Sequence, residues 1–159
     1  MNFNEINYYF STAIDLAEKA RSFNEVPVGA VIVDEFGKVI AKKYNTKEYD
    51  SNACHHAELL AIGQASQKRN SWRLNNCSLF VTLEPCPMCM GALVQARLKQ
   101  VFFGAYDIKG GAVSLGFNIH NDPRLNHRLE VYGGFKHREC GKLLSDFFKS
   151  KRDQYRTRR

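Results

Sequence analysis

The order of hydrophobic periods along this chain predicts an α/β fold built on a mixed sheet. Three observations carry that prediction. A helical period opens the chain, a pair of strand-like runs follows across a short Gly-containing turn, and after these strand and helix alternate.

Residues 4 to 20 place Ile6, Tyr9, Phe10, Ala13, Ile14, Ala17 and Ala20 three and four apart, the period of an amphipathic helix lying on a sheet. Val26 to Val33 and Lys38 to Tyr44 read as two strands joined by Asp34-Glu35-Phe36-Gly37, a connection of hairpin length. Beyond the polar loop Asn45 to Asn52, His56 to Lys68 reads as a helix and Cys77 to Leu83 as a short β-rich run. Pro87 fits the first turn of a helix reaching about Leu98, and Gln100 to Tyr106 is again strand-like. Strands separated by single helices pair in parallel through right-handed crossovers, so the later strands form a parallel section beside the hairpin. Asp107 to Asn126, punctuated by Gly110, Gly111 and Gly116, is longer than most structureless loops and suits the rim of a site. A short edge strand at Leu129 to Tyr132 and a helix from His137 to about Tyr155 complete the chain.

The 159 residues, 44% hydrophobic and 25% charged, fit one globular domain spanning 1–159, with no repeat, low-complexity tract or linker. Uncharged runs such as Cys86 to Ala96 fall short of the ~20 apolar residues of a membrane span, so no membrane partner is expected. Met1 to Phe10 lacks a basic region followed by an apolar stretch, which points to the cytoplasm. The five cysteines are too few and too unevenly spaced for a disulfide framework, and read as metal ligands or core residues.

Of the net charge of +7, the last eleven residues hold +5: Lys149, Lys151, Arg152, Arg156, Arg158 and Arg159 stand against Asp153 alone. Basic residues among aromatics suit a nucleic-acid partner, since cations neutralise phosphates and rings stack on bases. A solvated tail has the same composition.

Two local patterns carry chemistry: His56-Ala57-Glu58 at the start of one helix, and Pro85-Cys86-Pro87-Met88-Cys89 where a strand enters the next. Cys86 and Cys89, three apart in a first turn, can place both sulfurs on one metal, and His56 adds a nitrogen suited to zinc. Three ligands leave a fourth position for water, the catalytic rather than the structural arrangement, and zinc brings that water's pKa to about 7. Glu58 then acts as general acid and base. Helix N-termini aimed at the metal favour thiolates. Residues two apart do not share a helix face, so the metal must sit over the helix end. Taken singly, a Cys-x-x-Cys between strand and helix also suits a thioredoxin-like dithiol, and a lone His-x-Glu is common by chance. The conjunction is far more specific.

His-x-Glu with Pro-Cys-x-x-Cys is the signature of the zinc deaminases. Glu25-Val26-Pro27-Val28-Gly29-Ala30-Val31, Thr82 to Cys89, Phe103-Gly104-Ala105, Leu125-Asn126-His127-Arg128 and Ser145-Asp146-Phe147-Phe148 extend the likeness over nearly the whole chain. On these residues it resembles the bacterial transfer-RNA adenosine deaminases. The resemblance implies a three-layer α/β/α, cytidine-deaminase-like sandwich with a mixed five-stranded sheet. It implies a homodimer with one Zn2+ per subunit, acting on the wobble adenosine in the anticodon loop of an arginine tRNA and releasing ammonia as inosine forms. Carried over by motif, His56, Cys86 and Cys89 hold zinc. Glu58 shuttles protons as hydroxide attacks adenine C6, and Asn45 recognises the base. The N–H groups of Ala57 and Cys86 face the zinc-bound oxygen, and Asp107, Lys109, Phe147, Phe148 and Arg152 meet RNA. Of the adjacent rings Phe147 and Phe148, one is expected to pack in the core, because neighbours on a helix point about 100° apart. The chain departs from the pattern at Asn52-Ala53-Cys54-His55, which adds Cys54 and His55 as competing ligands, and at Thr46-Lys47 after Asn45. An anticodon loop fits a buried metal, since its bases are already unstacked. Two alternatives share these features: a deaminase of a free base or nucleoside of guanine or cytosine type, and a non-catalytic zinc-containing RNA-binding subunit.

Overall fold

The structure is a computed structural model and describes residues 1–157. Arg158 and Arg159, which contribute to the basic tail, lie outside the described residues. Helix α1 (Phe3–Ser22) opens on a reciprocal cap: the Asn2 side chain accepts from the Glu5 N–H, and the Glu5 carboxylate from the Asn2 N–H. Strands β1 (Gly29–Val33) and β2 (Val39–Tyr44) follow, then α2 (Ala57–Arg69), β3 (Ser78–Leu83), α3 (Pro87–Gln95) and β4 (Gln100–Ala105). A 3-10 turn (Ile119–Asn121), β5 (Glu130–Gly133) and α4 (His137–Thr157) complete the described chain.

The sheet has the order β2-β1-β3-β4-β5. β1 runs antiparallel to both β2 and β3, and β3, β4 and β5 are mutually parallel. Strand alternation divides the core. Ala30, Ile32, Leu79, Val81, Val101 and Phe103 face α2 and α3, packing with Ala57, Ala61, Ala65, Met90 and Leu93. Val31, Val33, Phe80 and Phe102 face Tyr9, Phe10 and Ala13 of α1, while Ala105 meets Cys140 and Leu143 of α4. The expected three layers with a mixed five-stranded sheet are therefore present.

The first strand starts three residues later than expected, at Gly29 rather than Val26. Pro27 has no N–H to pair, and the Val28 N–H turns back to Val26 O at 2.8 Å, so the segment bends before it can extend. Gly29 itself admits α1: a Cβ there would stand 2.0 Å from Ala13 O. Helix α3 stops at Gln95, short of Leu98, because Arg97 adopts a left-handed conformation (φ 64°) and the N–H groups of Arg97 and Leu98 return to Val94 O and Leu93 O.

This topology gathers one end of the sheet. β2, β3 and β4 finish there and β1 begins there, with Gly29 opposite Tyr44 and Leu83 opposite Ala105. The segments that follow, Asn45, Glu84 to Cys86 and Asp107, leave the sheet together, as ligand sites in α/β sheets do at the carboxyl ends of strands.

Candidate active site

His56 and Cys86 are matching residues of two helices. Each is the extended residue before the first helical turn, of α2 and α3 respectively, and neither side chain caps its own helix, which leaves both free to face a common point. Pro87 fixes the first position of α3, and Cys89 returns one turn later, buried. The His56 Nδ1 lies 3.7 Å from Cys86 Sγ and 3.5 Å from Cys89 Sγ. A tetrahedral zinc bonded at ~2.3 Å to sulfur and ~2.05 Å to nitrogen separates such ligand atoms by about 3.6 Å, so the donor set fits zinc in chemistry and spacing. It is the only group of metal-ligand type among the described residues. Cys54, which is exposed, and His55, whose Nδ1 meets Asp50 Oδ2 at 2.6 Å, stand outside this group of donors.

The three donors shift one another's protonation. Hydrogen bonding from Cys89, and then from His56, pulls the Cys86 thiol down to about 4. The same Cys86 contact, together with burial, pushes Cys89 up, and Cys86 raises His56. A divalent cation can take the place of these protons.

Glu58 is buried, 4% exposed, and desolvation pushes its carboxyl up to about 7. A carboxyl poised near neutrality can both accept and return a proton. At the end of β2, Asn45 is also buried, and its Oδ1 accepts from the Ala57 N–H at 2.8 Å. The Ala57 N–H, which the resemblance directs to the reacting oxygen, here donates to Asn45. It also fixes which group Asn45 has free, the Nδ2 donor.

The expected RNA contacts divide. Lys109 and Arg152 are exposed. Asp107 Oδ1 accepts from the N–H groups of Lys109 (3.1 Å) and Gly110 (3.0 Å), so this carboxylate shapes its own loop. Phe148 is 45% exposed, whereas Phe147 is 6% exposed beneath Lys151, whose Nζ stands 5.5 Å from the ring centre. Phe147 is corrected to the packed ring of the pair, since α4 turns it inward with Cys140 and Leu143. Lys151, Gln154 and Tyr155 share a hollow with Asn24, in the connection between α1 and β1.

Two buried carboxylates at this end carried no assignment from sequence. Glu25 Oε1 accepts from the Tyr49 N–H at 2.7 Å, and Glu84, 2% exposed, binds the 107–114 loop. The available signal was an acid immediately before a Pro-Cys ligand turn, at the end of an apolar strand.

Residues 4–152 match the family described as MafB19-like deaminase. The chain is 43% identical over 151 residues to the tRNA-specific adenosine deaminase of Bacillus subtilis (strain 168), covering 95% of this chain and 93% of that protein. A solved structure from work on A-to-I editing by tRNA:A34 deaminases at the wobble position superposes with a TM-score of 0.82. It is 36% identical, covering 87% of this chain and 99% of its own. A guanine deaminase structure from Bacillus subtilis gives a TM-score of 0.62 at 35% identity, covering 74% and 71%.

Proposed function

This chain belongs to the MafB19-like deaminase family, and from that premise we propose that it deaminates adenosine to inosine at the wobble position of transfer RNA, an arginine tRNA being the expected substrate. The observation that carries the reading is the pairing of a three-donor metal set, His56, Cys86 and Cys89, with the buried carboxyl of Glu58. A set that only held structure would be closed by a fourth protein ligand and would have no use for the acid.

A zinc ion, one per subunit, supplies an activated water when bound to these three residues. Glu58 would take one proton from the attacking water and pass it to the purine ring, then take the second from the hydroxyl left on C6 and deliver it to the departing amine, so that adenosine and water become inosine and ammonia. The Asn45 Nδ2 donor faces an acceptor on the base. Lys109, Phe148 and Arg152 offer cations and an exposed ring to a single-stranded RNA loop.

We place the enzyme in the cytoplasm as a homodimer. No helix among the described residues is long and apolar enough to cross a membrane. Ile108, Leu115 and Phe117, exposed on one loop, support a covering partner.

A second reading, deamination of a free purine, has the guanine deaminase likeness in its favour. One assay separates them. Zinc-loaded protein is given an arginine tRNA anticodon stem-loop with wobble adenosine, alongside free adenosine and guanine, and ammonia release and A-to-G sequencing are scored. Conversion of the wobble adenosine alone is expected, and Glu58→Gln should fold, hold zinc and lose roughly 10²-fold or more of the rate. Turnover of guanine with the RNA untouched would move the assignment to the second reading.

A further inference from the structure

We infer that Glu84 is a positioning residue for RNA: it locks the 107–114 loop onto the metal-ligand turn and thereby sets where Lys109 is presented. The inference rests on the tRNA reading above for what Lys109 meets.

Glu84 lies between β3 and the ligand turn, two residues before Cys86, and its own N–H donates to Ala105 O at 2.9 Å. Its side chain is spent on one loop. Oε2 accepts from the Asp107 N–H at 2.9 Å and the Ser114 hydroxyl at 2.6 Å, and Oε1 accepts from the Ser114 N–H at 2.7 Å. No ion pair to Glu84 forms among the described residues. A carboxylate buried without a cation depends on its hydrogen bonds, and here every side-chain bond comes from the loop's two ends.

The loop is built around that carboxylate. A Cβ at Gly111 would stand 2.2 Å from Glu84 Cδ and within 2.5 Å of both oxygens, so only glycine lets the backbone pass. The Ala112 N–H donates to Pro85 O at 2.9 Å, a second tie to the ligand turn. Orientation is then relayed outward. With its N–H held by Glu84, Asp107 uses its own carboxylate to hold the Lys109 and Gly110 N–H groups, and Gly111 N–H closes the turn on Asp107 O at 2.8 Å. Lys109 is thus set by a chain of bonds that begins two residues from Cys86, although Glu84 is not one of the grouped donors.

The test uses the zinc-loaded full chain, with amide hydrogen exchange across 107–115 and steady-state kinetics on the anticodon stem-loop. In Glu84→Gln the carboxamide NH2 opposes a loop donor, so exchange in 107–115 should rise about tenfold, and KM should rise about tenfold with kcat within about twofold and zinc at one per chain. Ser114→Ala, which removes only the hydroxyl leg, should show the same effects more weakly, and it serves if Glu84→Gln does not fold. Because the effect acts through Lys109, Glu84→Gln should add little to KM in a Lys109→Ala background. A role confined to stability would lower the unfolding temperature and leave that coupling at zero.

Unchanged exchange in 107–115, additive KM effects with Lys109→Ala, or loss of zinc with collapse of kcat would each overturn the inference. Wild-type protein that leaves the RNA unconverted would instead sink the tRNA reading, and the exchange measurement would still decide whether Glu84 holds the loop.

Discussion

The Ala57 N–H donates to Asn45 Oδ1 at 2.8 Å, joining the first turn of α2 to the end of β2 beside the ligand His56. An otherwise orphaned N–H at a helix start is satisfied by a side chain from another element, and that side chain is thereby oriented. Asn45→Ala should leave the buried N–H unpaired and cost about 1–3 kcal/mol, read as a fall in urea midpoint. Asn45→Asp retains the acceptor and loses the Nδ2 donor. It should keep most of the stability and the zinc while KM for the stem-loop rises, and an unchanged KM would remove Asn45 from base recognition.

Metal removal should separate activity from fold. Helices α2 and α3 bury Ala57, Ala61, Ala65, Met90, Leu93 and Val94 without help from the ligands, so chelation should abolish turnover and lower the thermal midpoint while far-ultraviolet dichroism stays close to native. Zinc should restore activity at one equivalent. Cys86→Ser should bind zinc far more weakly, whereas Cys54→Ser, on an exposed residue, should bind it as wild type does.

Salt reports the phosphate contacts. Lys109→Ala and Arg152→Ala should each make log Kd for the stem-loop less dependent on log salt, by about 0.7–0.9 per lost contact, with the larger loss of affinity at low salt. Phe148→Ala should weaken binding by a similar factor at every salt concentration, as loss of stacking does. Phe147→Ala should act mainly on stability, as expected for a ring buried with α4.

The loop after Asn45 should respond to acid. The Thr46 hydroxyl, and after it the His55 ring, hold the Asp50 carboxyl below its ordinary range. A carboxyl whose folded pKa is depressed stabilises the fold above its ordinary value of about 4, and that contribution is lost as the pH falls through the folded value. Protection of the 46–55 amides, referred to the intrinsic exchange rate at each pH, should therefore fall as the pH drops below about 4, and Asp50→Asn should show the lowered protection above that value as well.

The sequence by itself determined the elements and the reactive groups. Both are written at short range: the three- and four-residue spacing of Tyr9, Phe10, Ala13 and Ala17 makes a buried face, and Cys86-x-x-Cys89 behind Pro87 makes two sulfurs converge whatever surrounds them. His56-Ala57-Glu58 was equally legible as a motif, although residues two apart do not share a helix face and their convergence needs a site over the helix end. Only the tertiary structure decided how the remaining polar groups are used. That Ala57 is taken by Asn45 and that Glu84 holds Asp107 and Ser114 depend on which chain segments meet at one end of the sheet, and that Phe147 is packed and Phe148 exposed depends on which face α4 turns inward. The physical reason is that a buried donor or acceptor takes the nearest partner the fold supplies, and for Glu84 and Ser114 that partner lies thirty residues away.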